Sequence, residues 1–188
     1  MPDLARIQKE IQAAGFDGWL LYDFHNRDAI ACRVLGLDPT KFTSRRWFYF
    51  IPAKGEPVRL VSKVESTKLD SLPGRKITYL SWRELHEQIK HILSGCRSVA
   101  MQYSPTANIP YVSIVDGGTI DLVRTAGVEV VSSAGLVQTF EAVLDDTPYQ
   151  THVEAGHRVQ RLKDEAFELI GTELRAGQIG GAHVCTPV

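Results

Sequence analysis

The 188-residue chain carries 21 lysines and arginines against 22 aspartates and glutamates, which gives a net charge of −1. This balance provides no electrostatic basis for binding nucleic acid or an anionic membrane, and no apolar run reaches the ~20 residues that span a bilayer. The length suits one domain with an extension. The three cysteines (Cys32, Cys96 and Cys185) are scattered and the start lacks a signal-peptide pattern, so we expect free thiols in a cytoplasmic protein.

Helical and strand patterns alternate through the first part of the chain. Apolar residues at helical spacing predict a helix over residues 2–14, and the mostly apolar run 18–24 predicts a buried strand. Asn26 is placed to cap a short helix that ends at Gly36. The segments 47–52 and 57–62 flank the turn "AKGE" and predict an antiparallel hairpin.

The same alternation continues to about residue 143. A strand near 75–81 leads into a helix that Ser81 and Glu84 open with the spacing of a capping box. Strand, helix, strand and a short helix over 136–143 follow. The pattern predicts an α/β domain over residues 1–145, with a mixed sheet covered by helices on both faces.

The last predicted element is a long helix over residues 146–177. Thr147 and Gln150 have capping-box spacing, and Pro148 suits the first turn. Apolar residues recur at threes and fours up to Gly177, along roughly 40 Å of helix. Because such a stripe needs a partner, we expect a homodimer through this helix, with an irregular tail over residues 178–188.

Polar residues collect after the first strand, in the stretch "YDFHNRD". Ligands bind open α/β sheets at strand ends, so the candidates for lining a ligand or substrate entrance are Asp23, His25, Asn26 and Arg27. The alternative is a solvated strand-to-helix loop. A metal site built from His25 with Asp23 or Asp28 lacks a defined geometry, and we predict none.

Two further groups have competing interpretations. Arg45 and Arg46 stand beside an aromatic strand, where they either hold a carboxylate or phosphate or simply face solvent. Cys32 with a distant histidine is a conceivable nucleophile and base, but its position in an alanine-flanked helix favours a buried small hydrophobic residue. The residues themselves therefore predict no catalytic site and no cofactor in this chain.

The ordered set of motifs resembles the creatinase/prolidase-type N-terminal domain. This domain precedes the catalytic pita-bread domain in prolidases, Xaa-Pro aminopeptidases and creatinase. The family's opening helix, strand and polar loop resemble "RIQKEIQAAGFDGWLLYDFHNRDAIACRVLGL", and its hairpin resembles "RRWFYFIPAKGEPVRLV". The strand–helix–strand that leads to the domain junction resembles "MQYSPTANIPYVSIVDGGTIDLVRTAGVEVVSSAGLVQTFEAVL". The first helix of the pita-bread domain resembles "HVEAGHRVQRLKDEAFELI".

The resemblance implies a mixed α/β sheet with a ribonuclease H-like motif, followed by the start of a truncated catalytic domain. It also implies that the two divalent metals of the parent family, such as Mn, Co or Zn, belong to the missing part. The chain itself is then non-catalytic, makes oligomer contacts and shapes substrate access through Asp23, His25, Asn26, Arg27, Arg45 and Arg46. A stand-alone small-molecule-binding or regulatory domain is the alternative.

Overall fold

A computed structural model describes residues 2–177. This part of the chain forms six α-helices and six strands. The helices are α1 (Leu4–Ala13), α2 (Ala29–Leu35), α3 (Trp82–Ile92), α4 (Gly117–Arg124), α5 (Ala134–Glu141) and α6 (Asp146–Arg175). The strands are β1 (Gly18–Asp23), β2 (Trp47–Pro52), β3 (Val58–Ser62), β4 (Arg75–Tyr79), β5 (Ser98–Met101) and β6 (Glu129–Ser132). The chain divides into two units, Met1–Val143 and a second that begins at Leu144.

The six strands form one mixed sheet in the order β4-β3-β2-β1-β5-β6. The predicted hairpin is confirmed, because β2 pairs antiparallel with β3 and also with β1. The remaining pairs, β3 with β4, β1 with β5 and β5 with β6, are parallel. Strand β1 therefore lies inside the sheet, between an antiparallel and a parallel neighbour.

Helices cover both faces of the sheet, as the sequence predicts. Alternate side chains of β1 point to opposite faces, since a strand has a period of two. Trp19 and Leu21 belong to a buried core with residues of α1, α2 and α5. Leu20 and Tyr22 belong to a second core with residues of α3 and α4. All six residues of β1 are consequently buried.

Asp17 joins the beginnings of β1 and β5. Its Oδ2 atom accepts the backbone N–H of Arg97 at 2.7 Å and that of Ser98 at 3.0 Å. Its own backbone N–H donates to the carbonyl of Ser98. Hydrogen bonds from the Ser98 and Arg97 backbone lower the pKa of the Asp17 carboxyl, because they favour its charged form. One carboxylate thus aligns two parallel strands far apart in the chain.

Two predicted helix caps differ from the structure. Asp28, and not Asn26, caps α2, since its side chain accepts the N–H of Ala31. Asn26 lies two residues earlier with a left-handed φ of 54°. Asp145, and not Thr147, caps α6 by accepting the N–H of Thr147. Aspartate and asparagine are about equally good caps, so local sequence alone does not choose between them.

The capping box at α3 is confirmed in part. Ser81 accepts the N–H of Glu84 as predicted, at 3.2 Å. The Glu84 carboxylate returns to the backbone N–H of Leu80, one residue before the cap. These two hydrogen bonds together stabilise the start of α3.

Helix α6 runs for 30 residues, or about 45 Å. Its apolar stripe is exposed: Val159, Leu162 and Leu169 keep 67%, 64% and 63% of their surface. In α6 no residue is buried. The assignment of residues 146–177 to a catalytic domain stays a prediction, and the predicted tail over 178–188 lies outside the described residues.

Candidate binding site

A small cavity opens where β1 and β5 end. These strands run parallel, so their carboxyl ends lie at one edge of the sheet, and β1 is the strand at which the pairing changes from parallel to antiparallel. Open α/β sheets bind ligands at such positions. The cavity encloses about 20 Å³. Its walls are Tyr22, Asp23, Phe24, Arg27, Asp28, Ile114, Val115 and Asp116.

Asp23 organises the loop that forms one wall. The residue is 1% exposed. Its Oδ2 accepts the backbone N–H of Asn26 at 3.0 Å, and its Oδ1 accepts that of Asp28 at 2.9 Å. Both carboxylate oxygens therefore have backbone partners, and the side chain holds the turn in place.

Asn26 ties this loop to the segment before β2. Its Nδ2 donates to the carbonyls of Lys41 at 3.0 Å and Pro39 at 3.2 Å, and its Oδ1 accepts the hydroxyl of Thr43 at 2.7 Å. His25 precedes it with a φ of 63° and an exposed ring whose edge faces Phe24. The Asn26 side chain is thus used within the fold, whereas His25 faces solvent.

The three predicted arginines lie at the same edge of the sheet. Strand pairing sets Asp23 opposite Trp47, which brings Arg45 and Arg46 beside the loop after β1. The Arg27 guanidinium stacks 5.6 Å above the Phe24 ring. Arg45 is exposed and Arg46 is half-buried. We call the edge formed by His25, Arg27, Arg45 and Arg46 the rim; its three guanidinium groups are cationic.

Asp28 also belongs to this site, although the sequence does not predict that its carboxyl group is buried. It is 1% exposed, and while its Oδ1 caps α2, its Oδ2 has no hydrogen-bond partner among the described residues. Burial raises the pKa of the Asp28 carboxyl to about 7, and the nearby charge of Asp23 adds to the effect. The only sequence signal is a polar residue directly before the apolar run of α2.

Asp116 completes the acidic lining from the other side. It caps α4, where its Oδ1 accepts the N–H of Thr119 at 2.9 Å. Its Oδ2 accepts the hydroxyls of Thr119 at 2.8 Å and Tyr22 at 3.2 Å. Burial alone would raise the pKa of Asp116, but these hydrogen bonds outweigh it and the pKa is lowered. Burial raises the pKa of Tyr22 to about 12.

Cys32 has the surroundings of a structural residue. Its side chain is buried in α2. Burial, followed by the charges of Asp23 and Asp28, raises the pKa of the Cys32 thiol. A nucleophilic cysteine needs a lowered pKa, so the interpretation as a small buried hydrophobic residue is favoured.

Within residues 2–177 there is no group of three His, Cys, Asp or Glu residues arranged to hold a metal ion. The two-metal centre implied by the resemblance therefore does not fit on this part of the chain. No helix in the same range is long and apolar enough to cross a membrane.

Comparisons with known proteins give matches at the level of structure. Neither a scan of family models nor a search of curated proteins gave a match. A proline dipeptidase from Streptococcus pneumoniae superposes with a TM-score of 0.56 at 18% identity, over 77% of this chain and 100% of that chain. The creatinase/prolidase N-terminal domain of an X-Pro dipeptidase from Streptococcus pyogenes gives 0.52 at 15% identity, over 72% and 96%.

The chain has the fold of a creatinase/prolidase N-terminal domain. A recombinant prolidase from Thermococcus sibiricus superposes with a TM-score of 0.54 at 12% identity over 88% of this chain, but over only 43% of its own length. The similarity thus spans nearly all of the single-domain structures and less than half of the longer prolidase. At these identities the likeness establishes the fold alone.

Proposed function

We propose that this chain is the non-catalytic N-terminal domain of an Xaa-Pro aminopeptidase- or prolidase-like metallopeptidase. The main support is its likeness to the Streptococcus pyogenes N-terminal domain, 96% of which the chain covers. Two-metal hydrolysis needs a fixed set of ligating side chains, and residues 2–177 contain no group of three His, Cys, Asp or Glu residues arranged to hold a metal ion.

An activity assay tests this proposal directly. The purified chain is incubated with Xaa-Pro dipeptides and Mn²⁺, Co²⁺ or Zn²⁺, beside a full-length prolidase as positive control. We expect no release of proline from the chain alone. Metal-dependent cleavage that follows the protein through purification and disappears with a chelator would overturn the proposal.

We further propose that the rim shapes substrate access in the parent enzyme. His25, Arg27 and Arg45 are exposed and Arg46 is half-buried. Guanidinium groups pair with carboxylates in a bidentate geometry, so the rim suits the free carboxylate of a short peptide. Asp23 and Asn26, in contrast, contribute by holding the loop.

The rim's role is tested by NMR titration with an Xaa-Pro dipeptide and with its carboxamide. We expect the free carboxylate to shift rim resonances and the carboxamide to have little effect. Arg27→Gln should weaken the response, whereas Arg83→Gln, which removes an arginine on α3, should leave it unchanged. Equal shifts by the two peptides would contradict the carboxylate role.

Helix α6 is the proposed self-association surface, and a homodimer is the simplest assembly. The exposed side chains Val159, Leu162 and Leu169 lie three and seven residues apart on one face, which is the spacing of helix-pairing interfaces. Leu162→Glu with Leu169→Glu should give a monomer in sedimentation experiments. His157→Glu with Gln160→Glu adds the same number of acidic groups on the opposite face and should leave the dimer intact. A wild-type monomer at all concentrations would exclude the assembly.

A stand-alone small-molecule-binding or regulatory domain is the second candidate, favoured by the cavity at the ends of β1 and β5. A ligand-dependent rise in melting temperature that is lost in Arg27→Ala would support it. Asn26→Ala is unsuitable for this purpose, because Asn26 holds the loop. We also propose a cytoplasmic location, which the free thiols of Cys32 and Cys96 favour.

A further inference from the structure

The cavity at the ends of β1 and β5 contains an acceptor without a donor. Asp28 is 1% exposed and its Oδ2 lacks a partner among the described residues. A buried polar atom left unpaired is destabilising and rare in folded proteins. Asp28 is also one of the residues that line the cavity, so a ligand bound there is placed to supply the missing hydrogen bond.

The other polar walls are already satisfied. Both oxygens of Asp23 accept backbone N–H groups, and both oxygens of Asp116 accept hydrogen bonds. Asp28 Oδ2 is therefore the free acceptor of this acidic lining. The lining cation, Arg27, stacks on the Phe24 ring and donates no hydrogen bond to these carboxylates within the described residues.

Charge and size restrict the ligand. Three carboxyl groups and one guanidinium line the cavity, so a cationic donor is favoured over a neutral or anionic one. The volume of about 20 Å³ admits a single group of the size of a water molecule. The apolar walls Phe24, Ile114 and Val115 can contact a short carbon chain attached to that group.

We propose that this cavity binds the protonated head group of a primary amine, which donates a hydrogen bond to Asp28 Oδ2 while its carbon chain contacts Phe24 and Ile114. A water molecule would supply the hydrogen bond without compensating the carboxylate charge. The inference concerns this cavity alone and does not depend on the peptidase relationship, so either proposal can fail without the other.

The test uses methylammonium chloride, with sodium chloride and tetramethylammonium chloride at equal ionic strength as controls. Tetramethylammonium carries the same charge but has no N–H donor and exceeds the cavity. The readout is the carboxyl carbon resonance of Asp28 during a pH titration of the full chain. A ligand that binds the ionised form lowers the titration midpoint, by about one pH unit at ten times its dissociation constant.

Three variants sharpen the test. Asp28→Asn retains a good helix cap and should abolish the saturable response of neighbouring resonances to methylammonium. Asp121→Asn removes an exposed carboxylate from α4 with the same change of charge and should behave as wild type. Arg27→Gln removes the competing cation and should strengthen binding severalfold.

Three results would contradict binding of the amine in this cavity. An equal effect of the three salts would mean ionic screening only, and a full response in Asp28→Asn would place binding elsewhere. Titration of Asp28 like an exposed carboxyl in the wild type would mean a hydrated cavity. Each of these results would overturn the proposal.

Discussion

Asp23 Oδ1 accepts the backbone N–H of Asp28 at 2.9 Å, which sets two buried carboxyl groups in one turn. Each Asp23 oxygen accepts a backbone N–H group, whereas Asp28 Oδ2 has no hydrogen-bond partner among residues 2–177. The two side chains therefore have different structural roles. Asp23 shapes the loop, and Asp28 caps α2 through one carboxyl oxygen only.

The Asp28→Asn variant should become more stable relative to wild type as the pH rises. Burial raises the Asp28 pKa from 3.8 to about 7, so between these values the folded state holds a proton that the unfolded state releases. Wild type then loses up to about 1.4 kcal/mol of unfolding free energy per pH unit through this group. Urea denaturation at several pH values measures the difference, which should grow between pH 4 and 7 and level off above. A pH-independent difference would contradict the buried, unpaired carboxyl.

The Asp17→Ala variant should show the opposite dependence on pH. The pKa of Asp17 is lowered from 3.8 by backbone hydrogen bonds, so its contribution is present above that value and is lost as the pH falls through the lower folded pKa. We expect a loss of about 1 to 3 kcal/mol at pH 7. Asp17→Asn keeps an acceptor and serves as the control in the same denaturation series. Equal losses for both variants would assign the effect to charge and not to the hydrogen bonds.

Replacing Asn26 should destabilise the domain through two separate losses. Asn26→Ala removes the hydrogen bonds to Lys41, Pro39 and Thr43. It also puts alanine, which adopts the left-handed conformation less readily than asparagine, at a φ of 54°, and we expect a total cost of about 2 to 4 kcal/mol. Asn26→Gly removes the same hydrogen bonds but relieves the backbone. Thermal unfolding should therefore rank wild type above glycine and glycine above alanine. Alanine as stable as glycine would mean that the left-handed conformation is not retained in solution.

Gly74 should not tolerate a side chain. Its φ of 107° is unfavourable for other residues, and an added Cβ would collide with the carbonyl oxygen of Pro57. Gly74→Ala should cost more than about 1 kcal/mol, because both the strand β4 entry and the Pro57 backbone must shift. Gly135→Ala in α5 meets no atom within 4 Å and should be neutral or slightly stabilising. Similar melting temperatures for the two variants would contradict this geometry.

Local patterns predict the elements better than their arrangement. The apolar run before Asp23 and the turn between residues 52 and 57 suffice to place β1 and the hairpin, because strand and turn preferences act over a few residues. The parallel pairing of β1 with β5 joins segments about eighty positions apart and depends on contacts that no local pattern encodes. The wrong cap at Asn26 has the same origin, since its side chain is engaged by Lys41 and Thr43.

The candidate site was predictable in position but not in chemistry. A polar stretch after a buried strand indicates a strand-end site, and the hairpin register explains why Arg45 and Arg46 join it. The cavity that Asp28 lines is completed by Ile114 and Val115, which come from the distant segment between β5 and α4. The ionisation state of a buried carboxyl group depends on such neighbours, which the residue type alone does not reveal.

The central position of β1 in the sheet has a consequence for the order in which the sheet folds. Its neighbour β2 follows about thirty residues later, whereas pairing with β5 first requires a loop of roughly eighty residues to close. We therefore expect the β1–β2–β3 part of the sheet to form early and the β5–β6 part to form late. The acidic cavity lies on the seam between these two parts. Protection of the Asp28 carboxyl from solvent should therefore emerge last during refolding, as a marker that the two parts have docked.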